Sequence, residues 1–147
     1  MNGRHLGVVA GVLFVPAWFL TAAHTSGELI GGRSAGWQAF LFAISPLFGN
    51  DVAEGLLLRS WMITSALSNA LLVFTLGLVV WRPAAVHRIL AGSLAAATVL
   101  NAYWIVLPAM RTDLRVGYYV WLAAFVVGTG AAWVTTRERA DVGARAA

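Results

Sequence analysis

The chain has 147 residues, of which 60% are hydrophobic and 11% charged, whereas an ordinary soluble domain carries about a quarter charged residues. This balance excludes a conventional soluble enzyme and points to an integral membrane protein. All ten basic residues are Arg, and the net charge of +4 sits at ends and loops rather than in a basic stripe with interleaved aromatics, which excludes nucleic-acid binding; the absence of Cys excludes thiol redox chemistry, Fe–S clusters and Cys-ligated zinc.

The first apolar run covers residues 6–23, after the short basic start at Arg4 and His5. Its basic n-region and the Thr21-Ala22-Ala23 end also fit a cleaved signal peptide. The run is longer than the usual ~7–15-residue core of such a peptide and contains Pro16 and Trp18, so a retained span is expected. Pro16 removes a backbone donor and should bend the helix, freeing the carbonyl of Val12. Gly3, Gly7 and Gly11 recur every four residues and form a small-residue face, which suits close packing within the chain or against another copy.

Residues 24–59 form the longest segment outside the spans. Within it Trp37, Phe40, Leu41, Ile44 and Phe48 recur at helical spacing over 36–48. About a dozen residues are too few to cross a bilayer, so an interfacial or re-entrant helix is expected, either capping the bundle or acting as a lid over a binding cavity. Asp51 followed by Glu54 has the spacing of a capping box opening the next helix.

That helix, 58–81, and the next, 88–108, are long uncharged runs folded back to back around Arg82 to Arg88. Trp61 and Trp81 are twenty positions apart, about 30 Å along a helix, where the two interfacial aromatic belts of a bilayer lie. Asn69 and Asn101 are nearly equidistant from the loop and should share one depth near the midplane. An unpaired amide there has no water to turn to, so the two are expected to face each other. Ser65, Ser68 and Thr98 extend the same polar face.

The last span, 117–135, opens with Tyr118, Tyr119 and Trp121 and is expected to end before Arg137-Glu138-Arg139. Ala124, Gly128 and Ala132 form a second small-residue face. With four spans, Arg4, Arg82, Arg88, Arg137, Arg139 and Arg145 share one side against four Arg on the other, which puts both termini in the cytoplasm of a bacterial inner membrane. The fold class is therefore all-α integral membrane, a single four-helix transmembrane domain over residues 1–147 with one short interfacial helix.

No span carries a charge in its centre, which argues against ion-coupled transport. His24 and His87 fall at opposite interfaces and cannot share one haem iron. His24, Glu28, Asp51 and Glu54 lie on the outer side, with Asp113, and would be the donors for a metal or a surface reaction. Their spacing matches no ligand motif, so no cofactor is expected and solvated loop charges explain them.

Gly36-Trp37, Ser68-Asn69-Ala70-Leu71-Leu72 and Gly117-Tyr118-Tyr119-Val120-Trp121-Leu122 together resemble the pattern of a loose group of small uncharacterised bacterial four-span inner-membrane proteins, over most of the chain from Gly36 onward. The resemblance implies the four-span fold and carries no activity with it. The group's Asn-Pro in the second span is Asn69-Ala70 here, so no proline kink is implied. The expected function is that of a structural or interaction protein without catalysis of its own, such as an accessory or immunity-like subunit. Its partners would be the lipid bilayer and, through the small-residue faces, another membrane protein or itself. The alternative is a transporter or pore subunit for a small neutral solute, lined by Ser65, Ser68, Asn69, Thr98 and Asn101.

Overall fold

The computed structural model describes residues 2–25, 32–49, 55–107 and 114–146. Helix α1, Gly3–Ala17, is capped by the Asn2 side chain, which accepts from the His5 N–H at 2.9 Å. Pro16 ends this helix instead of bending it in mid-span. The helix stops one residue later, and the N–H groups of Phe19 and Leu20 both turn back to the Pro16 carbonyl. A ring without an N–H, clashing with the preceding turn, is tolerated there because the helix is already closing.

The rest of the expected 6–23 span is not helical. Strand β1, Thr21–Thr25, pairs antiparallel with β2, Gly32–Ala35, placing Ala23 opposite Ser34 and Thr25 opposite Gly32. This hairpin was not anticipated, because Thr21-Ala22-Ala23 reads equally well as the end of an apolar helix. Its backbone groups are satisfied by the partner strand, and by Arg115, whose N–H donates to the Ala22 carbonyl.

Helix α2, Gly36–Ile44, runs on as a 3₁₀ turn, Ser45–Phe48, to Gly49, whose φ of 80° closes it in the left-handed conformation. The Gln38 side chain caps its start by accepting from the Ala35 N–H. Helix α3, Leu56–Trp81, begins at Gly55; Asp51 and Glu54, and with them the capping box, lie outside the described residues. A 3₁₀ turn, Pro83–Ala85, leads to α4, Arg88–Ala102, which tightens into a 3₁₀ turn, Tyr103–Ile105, and stops short of residue 108. Helix α5, Val116–Ala146, passes well beyond residue 135. Arg, Glu and Ala are good helix formers, and the extension is held by tertiary contacts: Glu138 accepts from the Gly3 N–H, and Arg139 donates to the Val86 carbonyl.

Helix α1 packs antiparallel on α5. A Cβ on Gly3 would run into Thr135 and the Ala131 carbonyl, one on Gly7 into Val79, and one on Gly128 into Leu72. Ala124 and Ala132 are fully buried. The small-residue faces are thus consumed inside the chain, and of their members only Gly11 has open space beside it. Packing within the chain, one of the two uses expected of these faces, is the one seen for Gly3, Gly7 and Gly128. The interior divides into a cluster around Phe14, Leu72, Leu94 and Phe125 and another around Val79, Val86 and Ala131.

Large apolar side chains are exposed on several helices, and polar ones are buried alongside the apolar core. Val8, Val12 and Val15 form an exposed apolar stripe on α1 that Phe19 continues just beyond it, as do Leu67 and Phe74 on α3 and Val126 and Trp133 on α5. The buried set includes Ser65, Ser68, Asn69, Thr75, Asn101 and Thr135. Among the described residues two helices, Leu56–Trp81 and Val116–Val142, are long and apolar enough to cross a membrane.

Candidate functional site

Two adjoining features occupy the end of the bundle where α2 lies. The first is a buried polar network joining α3, α4 and α5. Asn101 accepts at Oδ1 from the Ser65 hydroxyl at 2.6 Å and donates from Nδ2 to the Ser68 hydroxyl at 2.8 Å. Ser68 in turn donates to the Ser65 carbonyl, Trp104 Nε1 donates to Ser65 Oγ at 3.3 Å, and the Tyr118 hydroxyl donates to the Asn101 carbonyl. Asn69 donates to the Ala66 carbonyl at 2.9 Å and accepts from Trp121 Nε1 at 2.7 Å. Farther along α4, Thr98 shares a 2.9 Å hydrogen bond with Thr129 of α5 and back-bonds to Leu94.

Asn69 and Asn101 are both buried in the bundle, but their hydrogen bonds go elsewhere than to each other. Helix rotation aims Asn69 at α5 and leaves Asn101 to two hydroxyls of α3. Both amides fall inside the bundle, and rotation about the helix axes chose their partners. Ser68, Thr98 and Asn101 all find hydrogen-bond partners within the protein, as expected of buried polar groups away from water.

The second feature is a cavity of about 220 Å³ between α2 and the bundle. Its floor is Met62, Ser65, Ala66 and Asn69 of α3, with Trp104; one wall is Gly117, Tyr118 and Trp121 of α5; its roof is Ala39, Phe40, Phe42 and Ala43 of α2; and Ala17, Trp18, Ala22, Ala23 and Ser34 close the side. Small residues make the space, since a roof of larger side chains would fill it. The corner is held by close backbone contact. Gly36 donates to the Leu20 carbonyl and Trp37 to the Trp18 carbonyl. A Cβ on Gly36 would sit 2.3 Å from the Ala17 carbonyl oxygen, and one on Gly117 2.7 Å from those of Leu20 and Thr21. Rings stack around it: Trp18 meets Phe40 at 5.3 Å, and Trp121 lies between Tyr118 and Phe125.

Of the expected polar face, Ser65 and Asn69 reach the cavity, while Ser68, Thr98 and Asn101 are not among the residues lining it. Among the described residues, no Asp, Glu, His, Lys or Arg lines it. Glu28, Asp51 and Glu54, with Asp113, lie outside the described residues; of His24 only the backbone, in β1, is described. Ser34, Trp104, Tyr118 and Trp121 were not read as site residues. The two aromatics of α5 open its first turns, and their place on a cavity shared with the β-hairpin could be inferred only once that hairpin was known. No protein family matches the chain, and neither a curated protein nor a solved structure matches it.

Proposed function

We propose that the chain is a small multi-pass protein of a bacterial inner membrane, crossing the bilayer four times with both termini cytoplasmic, and that it works by binding rather than by catalysis. The exposed apolar side chains and the buried, internally bonded polar ones suit a lipid solvent, in which backbone and side-chain polar groups must be satisfied internally. Helix α1, at about 22 Å, is short for a bilayer. The Trp18 to Leu20 turn and the hairpin continue it toward the outer interface. The observation that carries the reading is the cavity under α2. It is a partly open space with apolar walls and a few polar groups at its border, and among the described residues it holds no charged side chain for acid–base work. Conduction of a neutral solute along α3 and α4 fits less well, because Ser68, Thr98 and Asn101 spend their hydrogen bonds inside the bundle.

The chain has no cysteine, so topology is testable by single-cysteine variants and a membrane-impermeant maleimide. Asn2→Cys and Ala84→Cys should label only after the membrane is opened, and Leu47→Cys and Arg115→Cys in intact spheroplasts. Labelling of Ala84→Cys from outside would overturn the orientation. Full labelling at all four positions without opening would overturn the multi-pass reading.

A further inference from the structure

Ser34 stands apart from the other polar groups around the cavity. It sits on β2, is 2% exposed, lines the cavity, and its hydroxyl has no hydrogen-bond partner. By contrast Ser65 and Asn69 already have partners within the bundle. A buried hydroxyl without a partner is costly, and natural structures rarely keep one without a use. We infer that the cavity binds a compact, uncharged, amphipathic molecule whose one hydroxyl or carbonyl group hydrogen-bonds Ser34 and whose apolar body lies between the α2 roof and the α3 floor. This inference rests on the reading of the chain as a binding protein and deepens it by naming the ligand class and the side chain that selects it.

Three observations set the class. The walls formed by the described residues supply no counter-ion, so an ion would lose its hydration without recompense. The space of about 220 Å³, scaled from the 150 Å³ apolar cavity that accepts benzene, suits about nine non-hydrogen atoms. Alanine and glycine on several sides, with Trp18, Phe40 and Trp121 at the edges, make an apolar slot that favours a flat ring or short branched chain. The polar demand is concentrated at the Ser34 side, so one polar group is used and a second would be left unpaired.

The test uses the full chain in lipid nanodiscs and three probes of similar size: 2-phenylethanol, propylbenzene and the 2-phenylethylammonium ion. Affinity is followed by tryptophan fluorescence, with Ala43→Leu, which narrows the roof, as the reference for probe dissolved in lipid and Ala39→Leu as a second filling variant. Ser34→Ala should weaken 2-phenylethanol about tenfold, leave propylbenzene unchanged or tighter, and raise the melting temperature of the unliganded protein because an orphaned hydroxyl is removed. The ammonium ion should show no binding beyond that of Ala43→Leu. If Ser34→Ala leaves 2-phenylethanol affinity unaltered while the filling variants abolish it, the ligand class is wrong and the binding role stands. If no probe distinguishes the wild type from both filling variants, the binding role falls and the inference with it.

Discussion

Replacing Asn101 with Leu keeps most of the side-chain volume and removes both ends of a bridge between α4 and α3. The lost bonds are the 2.6 Å contact from Ser65 and the 2.8 Å contact to Ser68, at a residue that is fully buried. A side-chain hydrogen bond between membrane helices averages about 0.6 kcal/mol and reaches about 1.7. Two such bonds therefore place the destabilisation at about 1–3 kcal/mol. Ser65 and Ser68 limit the loss, because Ser68 already donates to a carbonyl of its own helix and Ser65 can do likewise. The cycle Asn101→Leu with Ser65→Ala, read by reversible unfolding in mixed micelles, should give a coupling of about 0.5–1.5 kcal/mol. The cycle Asn101→Leu with Asn69→Leu should give less, since the two amides share no bond. Coupling indistinguishable from zero in the first cycle, or a larger value in the second, would refute the network as described.

Trp121→Phe keeps a ring at the cavity wall and removes the donor to Asn69, so it should destabilise by about 1–2 kcal/mol; pairing it with Asn69→Leu should recover most of that loss. Gly36→Ala drives a Cβ into the Ala17 carbonyl and should detach α2, seen as faster protease cleavage between α2 and α3, whereas Gly11→Ala meets open space and should be neutral or stabilising by up to about 1 kcal/mol. Glu138→Gln weakens the anchor of the α5 extension on the first turn of α1 and should cost about 0.3–1 kcal/mol at low salt, with the difference shrinking as ionic strength rises. A denaturation midpoint for Glu138→Gln that differs from wild type equally at low and high salt would separate packing from charge.

The readable parts of the chain were those set by local chemistry. Long uncharged runs marked α3 and most of α5, and the helical spacing from Trp37 to Phe48 marked α2 with its end at Ser45-Pro46 and Gly49. The hairpin was missed because Thr21-Ala22-Ala23 reads as the end of an apolar helix, and what makes it a strand is a partner seven or more residues away. The α5 extension was missed because charge was read as the end of a span, although a helix may leave the hydrocarbon and continue while its residues favour helix. Of the polar face read from the sequence, Ser65 and Asn69 line the cavity. Ser34 gave no signal in the sequence, and its importance comes from burial without a partner.

By itself the sequence pointed to the solvent the surface suits and to the helices α2, α3, α4 and most of α5, because length, hydropathy and rise per residue depend on the chain alone. Tertiary structure decided rotation and closure. Turning α3 and α4 about their axes sent Asn69 to Trp121 and Asn101 to Ser65 and Ser68. Folding β1 and β2 back across the end of α1 brought Gly36 and Gly117 onto carbonyls that only a glycine can approach, and so set α2 over a cavity instead of on solid core. A one-dimensional pattern carries no angle about a helix axis and no distance between separate segments, and the candidate site consists of those two quantities.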